Sequence, residues 1–176
     1  SEILLSKILD KPREDVLINL DQKITEKNIL KFEKYIERRI KKEPVAYIIE
    51  EKEFWSKKFY VNTDTLIPRP ETELLVDELL RIFEGKKINI LDIGTGSGCI
   101  ILSLLSVLKH SFGVGVDISN KAIRVAKKNA KSSRNVGFWP FWAPKFPTRN
   151  TSKLAFWLCL NMHVSIEERD GEYQSK

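Results

Sequence analysis

Two cysteines, two histidines and one methionine are all that 176 residues hold of the side chains most used for disulfides, soft-metal ligation and redox work. Cys99 and Cys159 are too few for a disulfide framework and lack zinc-site spacing. His110 and His163 stand alone, so neither a metal centre nor histidine-based catalysis is expected. Long apolar runs are scarce as well. The longest, Cys99 to Leu108, falls well short of the roughly 20 residues that cross a bilayer, and no membrane association is expected. No basic start leads into a hydrophobic stretch and a small-residue cleavage site, so a secretory signal is not visible. These absences predict a reducing, cytoplasmic setting with free thiols. Cys99, at the head of an apolar helix, reads as core filler. Nowhere do two prolines stand side by side.

What is present is an ordinary folded composition, 42% hydrophobic and 31% charged, with room for a small domain and part of a second. The formal net charge of +6 is a weak pointer to an acidic partner. Much of it lies in Lys121, Arg124, Lys128 and Lys131, spaced 3, 4 and 3 apart along one helical face, with Ala122, Ala126 and Ala130 on another. That is the pattern of a solvated amphipathic helix, and direct nucleic-acid binding is not expected.

Residues 1 to about 43 read as all-helical. Thr25 and Glu26 precede Ile29, Phe32, Ile36 and Ile40, the pattern of a capped amphipathic helix. It closes on the basic stretch Arg38 to Lys42 and on Pro44. The helix around Ile3 to Leu9 begins without a cap, so further sequence is expected upstream. Phe54, Trp55, Phe59, Tyr60 and Val61 flank Ser56-Lys57-Lys58 and predict a hairpin. In Ile67-Pro68-Arg69-Pro70-Glu71-Thr72-Glu73 the prolines impose an extended approach, and Pro70 suits a helix's first turn. Leu74, Leu75, Leu79 and Ile82 predict that helix's apolar stripe, and Gly85 its cap.

After Gly85 the pattern changes. Lys87 to Ile93 reads as a buried strand, Cys99 to Leu108 as an apolar helix, and Phe112 to Val116 as a second strand. Asn120 would cap the basic helix. Strand–helix–strand–helix order predicts a parallel α/β sheet. Between the first strand and helix lies Asp92-Ile93-Gly94-Thr95-Gly96-Ser97-Gly98. Glycines let a backbone turn sharply and approach a ligand, and the loop opens on a helix N-terminus that favours a carboxylate. Asp117 ends the next strand, where an acid can bind ribose hydroxyls. The dinucleotide fingerprint would place its third glycine where Cys99 stands. Here the third glycine is Gly98, and Asp92, before the first, suits an amino group. A carboxylate, an amino group and a ribose together describe S-adenosylmethionine better than a nicotinamide dinucleotide.

The stretch EPVAYIIEEKEFWSKKFYVNTDTLIPRPETELLVDELL, followed by ILDIGTGSGCI, resembles the release factor glutamine methyltransferases. The likeness runs from the N-terminus to about Val136, and Ile67 to Glu73 is its most specific part. It implies an α/β fold: an incomplete class I methyltransferase (Rossmann-like) parallel sheet, preceded by a small helical domain and a β-hairpin. The divisions expected are a helical substrate-recognition domain at 1–50, a hairpin linker at 51–66, a cofactor-binding domain at 67–136 and a divergent tail at 137–176. By resemblance, Asp92, Gly94, Thr95, Gly96, Ser97, Gly98 and Asp117 bind S-adenosyl-L-methionine. Pro68, Arg69, Pro70, Glu71 and Thr72 lie beside the substrate entrance. The implied reaction is methylation of the glutamine amide in the Gly-Gly-Gln loop of peptide chain release factors.

The family's Asn-Pro-Pro-Tyr motif, which comes after the fourth strand and orients the glutamine amide, is absent. No catalytic residue is therefore assigned, and unless the tail replaces this motif the chain itself is expected to be inactive. The Ser-Asp-Trp-like stretch near the adenine also fails: Asn135-Val136-Gly137-Phe138 runs into Trp139-Pro140-Phe141-Trp142, with no acid before either tryptophan. Three of four tryptophans and three of seven prolines fall beyond Gly137, and Pro140, Pro144 and Pro147 disfavour central strands. We expect an interrupted reading frame near residue 136 and an unrelated tail. Two alternatives stay open: a non-catalytic truncated binding module, and an amino-methyltransferase acting on nucleic acid.

Overall fold

The computed structural model describes residues 2–19, 21, 23–133, 141–142 and 163–168. They divide into two compact units, residues 1–51 and 52–176.

The first unit is helical, as expected. Helices α1 (Glu2–Leu9), α2 (Arg13–Ile18), α3 (Glu26–Ile40) and α4 (Val45–Ile48) succeed one another along the chain. Leu4, Ile8, Val16 and Ile48 are its buried apolar side chains. Thr25 occupies the N-cap position of α3 in an extended conformation, but its hydroxyl makes no capping bond. Its carbonyl instead receives the Asn28 and Ile29 amides at 2.9 and 3.0 Å. The expected stripe of α3 is not buried: no residue of this helix is, and Ile29 and Ile40 are 44% and 75% exposed. At its C-terminal end Arg38 binds Glu43 through two nitrogens at 2.8 and 2.6 Å and donates to the Tyr47 and Ile48 carbonyls. That fork holds the Glu43 carboxyl below its ordinary range and staples α4 against α3.

The hairpin of β1 (Glu51–Phe54) and β2 (Lys57–Tyr60) turns on Trp55 and Ser56. This is one residue earlier than the polar Ser56-Lys57-Lys58 predicts. Both turn residues are left-handed, with φ of 48° and 54°, the geometry that matches strand twist in a two-residue turn. Trp55 thereby leaves the strand, and its Nε1 donates to Asp77 Oδ1 at 2.7 Å. Phe54 and Phe59 pack edge to face, 6.2 Å between ring centroids. Beyond β2, an Asx turn at Asn62 accepts the Asp64 amide at 3.0 Å.

Pro70–Thr72 form a 3₁₀ turn ahead of α5 (Glu73–Ile82). The apolar stripe of α5 differs from expectation. Leu74 and Ile82 are 71% and 50% exposed, and the helix faces the core with Val76, Leu79, Leu80 and Phe83. Apolar residues cover more than half of the helix surface, so both sets have helical spacing, and packing against α6 selects the second. Gly85, left-handed at φ 73°, lies two residues past the C-cap Phe83.

A four-stranded sheet carries this unit, in the order β5-β4-β3-β6. Strands β3 (Ile88–Ile93) and β4 (Phe112–Val116) are parallel, with Asn89 opposite Phe112 and Ile93 opposite Val116. β5 (Phe141–Trp142) extends the parallel set beside β4. β6 (His163–Glu168) runs antiparallel to β3, with His163 opposite Ile93 and Glu168 opposite Ile88. The sheet is thus mixed, and two short segments of 137–176 join it. Everything else expected of that tail lies outside the described residues.

Helix α6 (Cys99–Val107) buries seven consecutive residues, Cys99 to Leu105, with the sheet and α5 both packed on it. Gly113 makes this approach possible, since a Cβ there would stand 2.8 Å from Leu105 Cδ1. Helix α7 (Asn120–Ser132) buries Ala122, Ile123, Val125, Ala126 and Asn129, leaving its basic face outside as expected. Its cap is Ser119 rather than Asn120: Ser119 Oγ accepts the Ala122 amide at 3.2 Å. The Ser119 amide is itself fixed by Asp117 Oδ1 at 2.8 Å, and this sets where the helix begins.

Candidate functional site

The chain leaves β3 at Ile93 and enters α6 at Cys99, so Gly94 to Gly98 make the whole turn. The amides of Gly94 and Thr95 both donate to the Val116 carbonyl, at 2.8 and 3.0 Å, and the Gly98 amide donates to the Thr95 carbonyl at 2.7 Å. Gly94, Gly96 and Gly98 have φ of 80°, 53° and 79°, a region that costs other residues about 1–2 kcal/mol each. At Gly98 space is limiting too: a Cβ would lie 3.2 Å from Leu102 Cδ1 and 3.4 Å from Ala126 Cβ. Gly94 is exposed and Gly96 half-buried, whereas Thr95, Ser97 and Gly98 are buried. The rim open to a ligand is therefore Gly94 and Gly96.

Asp117 stands just past β4, half-buried. Its Oδ2 accepts the Gly96 amide at 3.0 Å, while Oδ1 holds Ser119. A carboxylate has about four lone-pair positions, so each oxygen retains capacity for a hydroxyl donor. Asp92 lies deeper. It is buried, and Thr95 Oγ1 donates to its Oδ2 at 2.7 Å. Burial raises its carboxyl to about 6, opposed by the Thr95 hydrogen bond and by the Ile101 amide in the first turn of α6. In this arrangement Asp92 anchors the loop from beneath.

Cys99 is buried as core filler, and burial pushes its thiol up to about 12. The buried Ser97 hydroxyl has no hydrogen-bond partner of ordinary geometry, although its proximity to the Cys99 sulfur slightly favours the thiolate.

Of the second group of predicted residues, Pro68 is buried, Thr72 half-buried, and Arg69, Pro70 and Glu71 exposed. The Thr72 amide closes their turn on the Arg69 carbonyl at 3.1 Å. None of the five is hydrogen-bonded to the glycine loop among the described residues. A cleft of about 590 Å³, lined by Leu80, Lys87, Val107, Lys109 and His110 among others, lies where β3 and β4 begin. It sits at the sheet edge opposite the loop and takes no part in it.

Sequence reasoning missed Asn129. Its Nδ2 donates to the Ser97 carbonyl at 2.8 Å and the Tyr60 carbonyl at 2.9 Å, and its Oδ1 accepts the Tyr60 amide at 2.8 Å. The available signal was one polar residue on the small-residue face of an otherwise basic helix.

Comparison with known proteins falls on both units. Residues 1–49 match the PrmC N-terminal domain, and residues 84–138 a methyltransferase domain. The release factor glutamine methyltransferase of Buchnera aphidicola subsp. Schizaphis graminum is 43% identical, over 79% of this chain and 51% of its own length. The bifunctional methyltransferase of Rickettsia prowazekii (strain Madrid E) is 42% identical, over 74% of this chain and 29% of its own length. The chain thus spans about half the length of the first relative and under a third of the second. No helix among the described residues is long and apolar enough to cross a membrane. With matches on either side of the hairpin and the glycine loop in the place described, the chain joins a PrmC N-terminal domain to a methyltransferase domain and is similar over both to release factor glutamine methyltransferases.

Proposed function

We propose that the loop Gly94–Gly98 and Asp117 bind S-adenosyl-L-methionine, and that the associated reaction methylates the glutamine side-chain amide in a release factor's Gly-Gly-Gln loop. A cytoplasmic setting goes with such a substrate. The observation that carries this reading is the pairing of an exposed glycine rim with an acid one strand over, in a chain whose relatives bear that name. The glycines leave room for a ligand at the rim, and Asp117 keeps acceptor capacity for ribose hydroxyls. Asp92, Thr95, Ser97 and Gly98 shape the loop from within. Residues 1–50 would recognise the substrate, and Pro68 to Thr72 would border its entrance.

The cofactor supplies an electrophilic methyl group. The protein's part is to align the amide nitrogen with it and exclude water. Incubating the chain with purified release factor and radiolabelled methyl donor tests this reading. Label on the Gly-Gly-Gln peptide would establish turnover by this chain without the Asn-Pro-Pro-Tyr motif, and its absence despite cofactor binding would favour the second reading.

That second reading, a chain that binds without turnover, draws on the direction of β6. The family motif follows the fourth strand, and in a wholly parallel sheet that strand would end on the glycine-loop side. The strand beside β3 here starts on that side, with His163 opposite Ile93. Its C-terminal residue, Glu168, pairs with Ile88 at the far side of the sheet, and Asn-Pro-Pro-Tyr is absent from the sequence.

A further inference from the structure

Ser97 lies between two left-handed glycines, Gly96 and Gly98. Inside the loop this stretch is held on one side only, through the Gly98 amide that donates to the Thr95 carbonyl at 2.7 Å, and glycine flanks leave the Ser97 carbonyl side dependent on a partner from elsewhere. Its own hydroxyl supplies no anchor. The Ser97 carbonyl is held by Asn129 Nδ2 at 2.8 Å, from a side chain 32 residues away and 4% exposed.

The same side chain reaches the end of the hairpin. Oδ1 accepts the Tyr60 amide and Nδ2 donates to the Tyr60 carbonyl, a two-way pairing like one rung of an antiparallel ladder. Lys128, the preceding residue on α7, lies over the Tyr60 ring with Nζ 3.0 Å from its centroid. From Tyr60 the chain continues through buried Val61 and the Asn62 turn towards Pro68. One amide therefore ties the glycine loop, α7 and the strand that leads to the Pro68–Thr72 segment.

We propose that Asn129 is a positioning residue, which fixes the glycine loop in its ligand-accepting shape and holds it in register with the end of the hairpin. This rests on the cofactor assignment made above. It adds a residue, remote in sequence from the loop, on which affinity for the cofactor depends. Asn129→Asp is the informative change. It keeps the shape and the acceptor for the Tyr60 amide, but removes both donors and turns a carboxylate towards two carbonyls.

The test uses the full chain and S-adenosylmethionine in titration calorimetry, well below each variant's Tm, with Val76→Ala as a comparison for general destabilisation. Val76 is buried in the core and touches none of the three tied segments through a hydrogen bond. Asn129→Asp should weaken Kd by about tenfold or more, while Val76→Ala lowers Tm and leaves Kd within about twofold. Equal Kd for Asn129→Asp and wild type, or equal weakening by both variants, overturns the proposal. Should the wild type not bind, the cofactor assignment falls, and hydrogen exchange then decides the tie. Faster exchange at Gly96–Gly98 and at Tyr60 together, in Asn129→Asp but not Val76→Ala, upholds it, and unchanged exchange there overturns it.

Discussion

Helices α3 and α7 are both strongly amphipathic, yet α7 buries five residues and α3 none. The difference lies in what each helix has to lie against. α7 presents Ala122 and Ala126, small enough for its backbone to come down on the glycine loop, with Ala126 Cβ at the space a Gly98 side chain would need. α3 presents bulkier Ile29, Phe32, Ile36 and Ile40, but the partners in its unit are short helices of four to eight residues. Periodicity selects a face, whereas burial depends on a surface that fits it.

The largest test of this contrast is a matched pair of truncations. Ile123→Ala on α7 should destabilise by about 2–5 kcal/mol, the range for deleting a buried isoleucine. Ile40→Ala on α3, 75% exposed in the wild type, should stay within about 0.5 kcal/mol. Urea unfolding of both variants measures the difference, and a comparable loss at Ile40 would show that α3 has a partner surface after all.

Next in size is a pH effect of opposite sign in the two units. The Asp92 carboxyl is raised to about 6 by burial, so the folded state holds its proton more tightly than the unfolded chain does. Stability from this group is full below the unfolded value near 3.8 and is lost as pH rises to about 6. The loss is on the order of 3 kcal/mol, and Asp92→Asn should abolish it. Glu43, lowered by its Arg38 hydrogen bonds, works the other way. Its contribution is present above the ordinary glutamate range and lost as pH falls, and Glu43→Gln should remove that acid sensitivity. Unfolding midpoints across pH 3 to 8, on the order of one point per half unit, separate the two.

The helix caps sharpen the contrast further. Ser119→Ala breaks a bond that is made and should cost about 1 kcal/mol. Thr25→Ala removes a hydroxyl that makes no cap bond and should cost only a few tenths of a kcal/mol. On the surface of α7, Lys121→Ala breaks a 3.5 Å pair with Asp64 on an exposed side chain and should change stability by no more than a few tenths of a kcal/mol.

Legibility in the sequence tracked the range of the interactions. The run from Lys87 to Val116 was readable because strand, glycine turn and apolar helix are signalled by neighbouring residues. The hairpin was readable but its turn was not, since neither Trp55 nor Ser56 advertises a left-handed backbone. The face of α5 was ambiguous because Leu-Leu-Val-Asp-Glu-Leu-Leu-Arg-Ile-Phe is apolar at two helical spacings. β6 was invisible: an antiparallel partner about 75 residues from β3 is set by contacts no local window contains. In the site, Asp117 and the glycines could be placed by spacing alone. Asn129 could not, because its partners Tyr60 and Ser97 lie 69 and 32 residues away.

Cys99 occupies the first turn of α6, buried and with its thiol pushed up to about 12. Alkylating reagents attack the thiolate, so at neutral pH they must wait until this turn lifts from the sheet. With Cys159→Ser in the background, the labelling rate at Cys99 becomes a clock for that opening, read by mass spectrometry on the intact chain. Anything that settles on the glycine rim and holds the turn shut should slow the clock in proportion to its occupancy. A sulfur atom with no chemistry of its own in the site would then report every ligand the site accepts.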